Sequence, residues 1–176
     1  WTAQAFHGSS DCLQVFGGHG YVREGGIEQI VRDSRVSMIY EGTNEIQAID
    51  LLVRKVLGDG GAGMSALLHD LCDGLDLQVA IQASLHAQAD SLNQITRELV
   101  HAAKTNPELP FWVADDYLRA VALTLLAWSW VQINAATSSR ALSADPARWA
   151  EPARAVEYWI LPECHMRLHI IKVRLM

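Results

Sequence analysis

Glu41 is the residue on which the sequence concentrates the most chemistry. It stands between Tyr40 and Gly42, on a short irregular stretch just ahead of a helix start. A carboxylate there faces a cleft, with the free backbone N–H groups of the coming helix beside it, an arrangement suited to an oxygen or a phosphate. On these residues alone, a glutamate beside a glycine is more often a surface turn. Upstream, Gly17, Gly18 and Gly20 interrupt Leu13-Gln-Val-Phe-Gly-Gly-His-Gly-Tyr21. Glycines at that spacing end a helix in a loop whose backbone can approach a ligand closely.

Other spacings imitate chemistry. Gly58-Asp-Gly-Gly-Ala-Gly63 has the letters of a dinucleotide fingerprint. That fingerprint needs a strand before it, so that pyrophosphate meets a helix N-terminus. Here the preceding Leu51 to Leu57 reads as helix, and the stretch is expected to be a linker. His165 and His169 lie at i, i+4, and His69 and Cys72 one turn apart, spacings that can bind a metal. With no glutamate between the first pair, both are read as helix faces. Arg32-Asp33 is read as a structural ion pair. Five of the six tryptophans (Trp112, Trp128, Trp130, Trp149 and Trp159) fall in the second part of the chain and are expected in a core or an interface.

The elements that must position these residues are helical. Trp1 to about Phe16 reads as a helix stopped by Gly17-Gly18, Gly25-Gly26 closes a loop, and Ile27, Ile30, Val31 and Ser34 recur at helical spacing. Ser37 to Gly42 is expected to be an extended turn. Thr43 or Asn44 caps the next helix, whose apolar positions Ile46, Ile49, Leu52, Val53 and Val56 recur at i, i+3, i+4, and which ends at Gly58. Met64 to Cys72 is a short helix. Asp76 can cap a long one carrying Leu77, Ile81, Leu85, Leu92, Ile95 and Leu99 on one stripe, closed off before Pro107 and Pro110. Asp115-Asp116 is expected to begin the next helix, to about Thr137. A polar loop over 138–145 follows, then a last helix started at Pro146 or Pro152 and kinked at Pro162. Long helices with short connections predict an all-α fold, a bundle of up-and-down antiparallel helices.

Composition sets limits on function. The 176 residues are 50% hydrophobic and 19% charged, with mean hydropathy +0.08, which excludes disorder. Net charge −6 argues against a nucleic-acid surface carried by bulk charge. All 12 glycines lie between Gly8 and Gly74 and all 5 prolines between Pro107 and Pro162, which divides the chain into a loop-rich and a helical part. Cys12, Cys72 and Cys164 are dispersed and odd in number, no disulfide framework, and fit a reducing, cytoplasmic setting. Ala120 to Ala136, interrupted by Ser129, Gln132 and Asn134, falls short of the about 20 apolar residues of a membrane span and is expected to be a core helix. An opening Trp1 suggests a piece of a longer protein.

Taken in order, Gln-x-x-Gly-Gly-x-Gly-Tyr, Arg-Asp and Ile-Tyr-Glu-Gly-Thr-Asn closely resemble the C-terminal helical domain of the acyl-CoA dehydrogenases, over about residues 10 to 57. The resemblance implies FAD, oxidation of an acyl-CoA to the trans-2-enoyl-CoA, and an electron-transfer flavoprotein as electron acceptor. It implies that Glu41 is the general base for the α-proton, with its backbone N–H polarising the thioester carbonyl, and that Gly42 contacts substrate. Thr43, Asn44 and Glu45 match flavin-contacting positions. Gln14, Val15, Phe16, Gly17 and Gly18 match the segment that meets FAD from a neighbouring subunit, which implies a homo-oligomer, a dimer or a tetramer. Residues 1–57 then end the family's helical domain, 58–63 form a glycine-rich linker, and 64–176 resemble the helical extension found in one branch of the family. The domain carrying most flavin contacts is absent, so the piece alone is expected to be inactive. The alternative is a non-catalytic assembly module for oligomerisation or flavoprotein docking. A DNA-associated relative would want a basic face, whereas residues 59–176 carry 9 basic and 13 acidic side chains.

Overall fold

The computed structural model describes residues 1–138 and 147–176, so most of the expected 138–145 loop, and Pro146 as a helix start, lie outside the described residues. Among the described residues the chain is all-α and has no strand. It divides into two compact units, Trp1–Gln47 and Ala48–Met176.

In the first unit, α1 (Thr2–Phe16) packs on α3 (Ile27–Val36). Gly17 ends α1 at φ 61, ψ −146, a conformation closed to residues with a side chain. The chain then re-enters a single helical turn, α2 (Gly18–Tyr21), where the sequence predicts a loop. Gly20 lets that turn sit against α1, since a Cβ there would lie 2.6 Å from the Phe16 Cβ and 2.9 Å from the Leu13 carbonyl oxygen. A 3₁₀ turn (Arg23–Gly25) leads to left-handed Gly26 and into α3.

The second unit is built as the apolar pattern demands. From α4 (Asn44–Ile49), Ala48 and Ile49 belong to this unit, and the helix runs on as a π-helical stretch, Asp50–Val56. After it come α5 (Ala62–Cys72), α6 (Ala80–Ala102), α7 (Leu109–Ser138), α8 (Ala147–Ala155) and α9 (Leu161–Leu175). The α6 stripe enters the core as expected, with Ile81 nearly buried and Leu85, Leu92, Ile95 and Leu99 fully so, each worth about 1.5–3 kcal/mol relative to exposure. Leu77 lies outside the helix and is exposed. Asp76 does not cap α6. Its carboxylate accepts from the Gln78 N–H at 2.9 Å, forming a turn ahead of the helix.

Three helices form the bundle. Ile81 and Leu85 of α6 meet Ala127 and Val131 of α7, whereas Thr96 meets Tyr117, so α6 and α7 are antiparallel. Arg167–Asp116 and Arg119–Glu163 likewise set α9 antiparallel to α7. Where α7 begins differs from the sequence reading by six residues. Pro110, read as a breaker, sits in the first turn of α7, where its fixed φ suits the helix and its missing N–H costs nothing. Pro152 lies inside α8, and the kink expected at Pro162 takes the form of a π-helical stretch, Val156–Ile160, just before it. A proline cannot donate to the carbonyl four residues back, and the wider Leu161 N–H to Val156 carbonyl bond absorbs the mismatch.

Polar groups inside this core are mostly matched. The Thr96 and Tyr117 hydroxyls share a hydrogen bond at 2.7 Å. Burial pushes the Tyr117 phenol up to about 12 and the Cys164 thiol up to about 11. Burial works against the charged form of Glu163, yet Arg119 and Arg167 hold its carboxyl below the usual value. Trp128 and Trp130 pack partly buried on the core, whereas Trp112 and Trp159 stay exposed.

Candidate functional site

The segment from Ser37 to Thr43 is built differently from the extended turn expected of it. The Met38 and Ile39 N–H groups donate to the Arg35 and Val36 carbonyls and the Tyr40 N–H again to Val36, so the end of α3 unwinds through helical turns. The chain then reverses at Glu41, φ 56, and Gly42, φ 95. Among the described residues Glu41 is the one non-glycine with positive φ. A side chain held in that region costs of order 1–3 kcal/mol, which persists only where the surroundings over-determine it.

Two side chains surround this turn. The Thr43 hydroxyl accepts from the Ile46 N–H at 3.5 Å and so caps α4, one of the two caps foreseen. Six residues beyond Glu41, the Gln47 side-chain amide donates to the Glu41 carbonyl oxygen at 2.9 Å. Gly42 fits beneath it, because a Cβ there would come within 3.3 Å of Ile46 and 3.4 Å of the Gln47 amide nitrogen. Gln47 was not singled out by the sequence; only its place one helical turn past the cap could have hinted at it. The Thr43 hydroxyl, then its own backbone N–H, hold the Glu45 carboxyl below its usual value.

The predicted site residues fall in two places. Glu41, Gly42, Thr43, Asn44 and Glu45 are consecutive around the left-handed turn. Asn44 is tied to the start of α1, its Oδ1 accepting from the Thr2 hydroxyl at 2.8 Å. Gln14, Val15 and Phe16 occupy the other end of α1, with Gly17 and Gly18 just past it. Helical rise over the 15 residues of α1 puts roughly 20 Å between the two groups. They are not one cluster within a single chain.

The two groups leave different kinds of surface open. Val15, 86% exposed, and Phe16 offer apolar surface, and a Cβ at Gly17 or Gly18 would meet nothing within 4 Å, so backbone and apolar side chains stand open to a flat ring and a phosphate. At the turn, Thr43 and Asn44 have committed one oxygen each to holding α4 and α1 together, which leaves the Asn44 amide nitrogen and backbone groups for a ligand. Both groups leave surface open to a ligand, and neither is a complete cradle.

Between α1 and α3 lies a groove of about 550 Å³, lined by Phe6, Leu13, Tyr21, Arg32, Arg35 and Ile39 among others. Arg32 is placed here and not in the expected pair with Asp33. Neighbours in a helix point about 100° apart, and Asp33 instead accepts from Gln29 one turn back, at 2.7 Å. The glycine stretch 58–63 is no phosphate loop. The π-helical segment precedes it, and the Asp59 carboxylate takes the Gly61 and Gly63 N–H groups, both at 2.9 Å. His165 and His169 lie exposed on α9. Among the described residues no helix is long and apolar enough to cross a membrane.

Comparison with known proteins places both parts of the chain. Residues 1–57 match the family described as acyl-CoA dehydrogenase, C-terminal domain, and residues 64–174 the one described as acetyl-CoA dehydrogenase C-terminal like. The chain is 52% identical over 60 residues to the 3-methylmercaptopropionyl-CoA dehydrogenase of Ruegeria pomeroyi, covering 34% of this chain and 10% of that protein. It is 39% identical over 64 residues to the broad-specificity linear acyl-CoA dehydrogenase of Mycobacterium tuberculosis, 36% and 10% of the two. With the human mitochondrial very long-chain specific acyl-CoA dehydrogenase the identity is 36% over 59 residues, 34% and 9%. The matches thus span about a tenth of the length of these relatives.

Proposed function

The chain belongs to the acyl-CoA dehydrogenase family, and from that premise we propose that it is the C-terminal part of an FAD-dependent enzyme that oxidises an acyl-CoA to the trans-2-enoyl-CoA, with Glu41 as the base. The observation that carries this reading is the left-handed turn. Glu41 is held at φ 56 beside Gly42 at φ 95, a strained backbone for a residue with a long side chain and of a kind that gathers at functional sites.

Glu41 contributes two groups. Its carboxylate takes the α-proton, a role that positioned carboxylates fill with gains of about 10²–10⁴. Its backbone N–H donates to the thioester carbonyl, where negative charge develops as the proton leaves. Gly42 keeps the space beside that carbonyl free of a side chain. Bound FAD supplies the acceptor for the β-hydride, and an electron-transfer flavoprotein is the expected electron partner. Thr43, Asn44 and Glu45 serve one flavin. Gln14 to Gly18, roughly a helix length away, serve the flavin of a second subunit, and that separation supports a homo-oligomer. Dispersed cysteines, free among the described residues, support a reducing compartment such as the cytoplasm.

Replacing Glu41 by Gln in the full-length protein tests the assignment. Flavin bleaching by saturated acyl-CoA thioesters is expected to slow on the order of 10³-fold while FAD stays bound. Bleaching at the normal rate would remove Glu41 from the reaction.

For residues 64–176 we propose an assembly role. Trp112, 64% exposed, and Trp159, 70% exposed, favour it, since large exposed aromatics are typical of interface anchors. Light scattering on Trp112→Ala and Trp159→Ala variants of the full-length protein tests it. A smaller oligomer is expected, and unchanged mass for both would contradict it.

A further inference from the structure

We propose that Gln47 is a positioning residue for the Glu41 base, acting through the backbone of the turn. This rests on the reading of Glu41 given above. At φ 56 the directions of the Glu41 N–H and Cα–Cβ bonds are set by the turn itself. A left-handed residue with a long side chain reverts to the ordinary regions of φ unless something holds it. Of the hydrogen bonds made at this turn, the one that grips Glu41 itself comes from the Gln47 amide, at 2.9 Å to the Glu41 carbonyl. That bond fixes the Glu41–Gly42 peptide plane. The same amide nitrogen lies close to where a Gly42 Cβ would be, so the bond and the absence of a side chain at position 42 form one device.

Gln47 is well suited to this task. It sits on α4, where the Gln47 N–H donates to the Thr43 carbonyl at 3.0 Å, so its backbone is held by the helix while its side chain reaches back over the turn. It offers an N–H donor without a charge, and therefore holds the Glu41 backbone without adding an ion beside the carboxylate. The proton transfer it supports is a simple one. The α-carbon C–H bond breaks, the proton goes to the Glu41 carboxylate, and the electron pair stays on the substrate, spread toward the thioester oxygen that the Glu41 N–H faces.

The test uses the full-length protein with Gln47→Leu and, as a second variant, Gln47→Ala. The substrates are saturated acyl-CoA thioesters from butyryl- to palmitoyl-CoA. At saturating thioester, single-turnover flavin bleaching is expected to slow about tenfold, which corresponds to ~1.4 kcal/mol in the barrier. The half-saturating concentration and the FAD content are expected to stay as in the parent, because the Gln47 amide is spent on the Glu41 carbonyl. A readout independent of turnover is amide hydrogen exchange over residues 40–47, expected to quicken about fivefold in both variants. In the Glu41→Gln background, Gln47→Leu is expected to slow bleaching no further, since both act through one group. An unchanged bleaching rate in Gln47→Leu, or a loss that follows FAD content or half-saturation, would overturn the inference while leaving Glu41 as base. Normal bleaching in Glu41→Gln alone would overturn both.

Discussion

Residues 48–176 and residues 1–47 owe their shapes to different causes. In the second region α6 alone contributes Leu85, Leu92, Ile95 and Leu99 at 0% exposure, and α7 answers with Val113, Tyr117 and Ala120, also at 0%. In the first region the buried residues are Ser9 and Gly20, while Val15, Phe16, Tyr21, Ile30, Val36 and Tyr40 are all exposed. A segment of 47 residues has little surface to bury within itself. Its form comes from backbone devices: Gly17, Gly26 and Gly42 at positive φ, and Glu41 held there with a side chain. The region that is stable by its own packing carries no proposed chemistry. The region that carries it has strain, exposed apolar surface and short polar ties.

Point substitutions can break or sharpen that contrast. The largest effect is expected from Leu92→Ala, which empties a fully buried site in the bundle and should cost about 3–5 kcal/mol in thermal or denaturant unfolding of the chain. Val15→Ala, also an aliphatic truncation but at 86% exposure, should stay within about 0.5 kcal/mol. Equal costs at the two positions would erase the distinction.

A smaller effect, of order 1 kcal/mol at neutral pH, is expected from Glu163→Gln, which removes the acceptor shared by Arg119 and Arg167. The folded-state pKa of Glu163 lies below its unfolded value, near 4.5, so its contribution is present above that pH and fades as the pH falls through the folded value. The gap between parent and variant should therefore be full at pH 7 and narrow steadily below about pH 4.5. A gap that widens on acidification would mean that the ion pairs at the α7–α9 seam do not stabilise the bundle.

How much of this was legible in the sequence follows the same division. The bundle was readable because aliphatic spacing and burial are the same fact on a helix. Ile81 to Leu99 fell inside as their period requires, and the stretch before the glycines of 58–63 is helical, as its apolar spacing predicts. The start of α7 was misplaced because proline reads as a stop signal in sequence, although it is welcome in a first turn. Ser37 to Gly42 was misjudged for a different reason. Six residues are too few to show a period, and the left-handed state of Glu41 depends on Gln47, whose bond crosses back over the cap. The pairing expected of Arg32 and Asp33 failed because adjacent residues on a helix diverge. Glu41 was singled out through the order of its neighbours, a reading that rests on the resemblance.

The central claim is that the Glu41 carboxylate removes the substrate's α-proton. The most direct measurement is the exchange of α-hydrogen for solvent deuterium in saturated acyl-CoA thioesters, followed by mass spectrometry with the full-length protein and its Glu41→Gln variant, without an electron acceptor. The account predicts exchange with the parent protein and a loss on the order of 10³-fold with the variant, FAD content being equal. Exchange at the parent's rate in Glu41→Gln would contradict it.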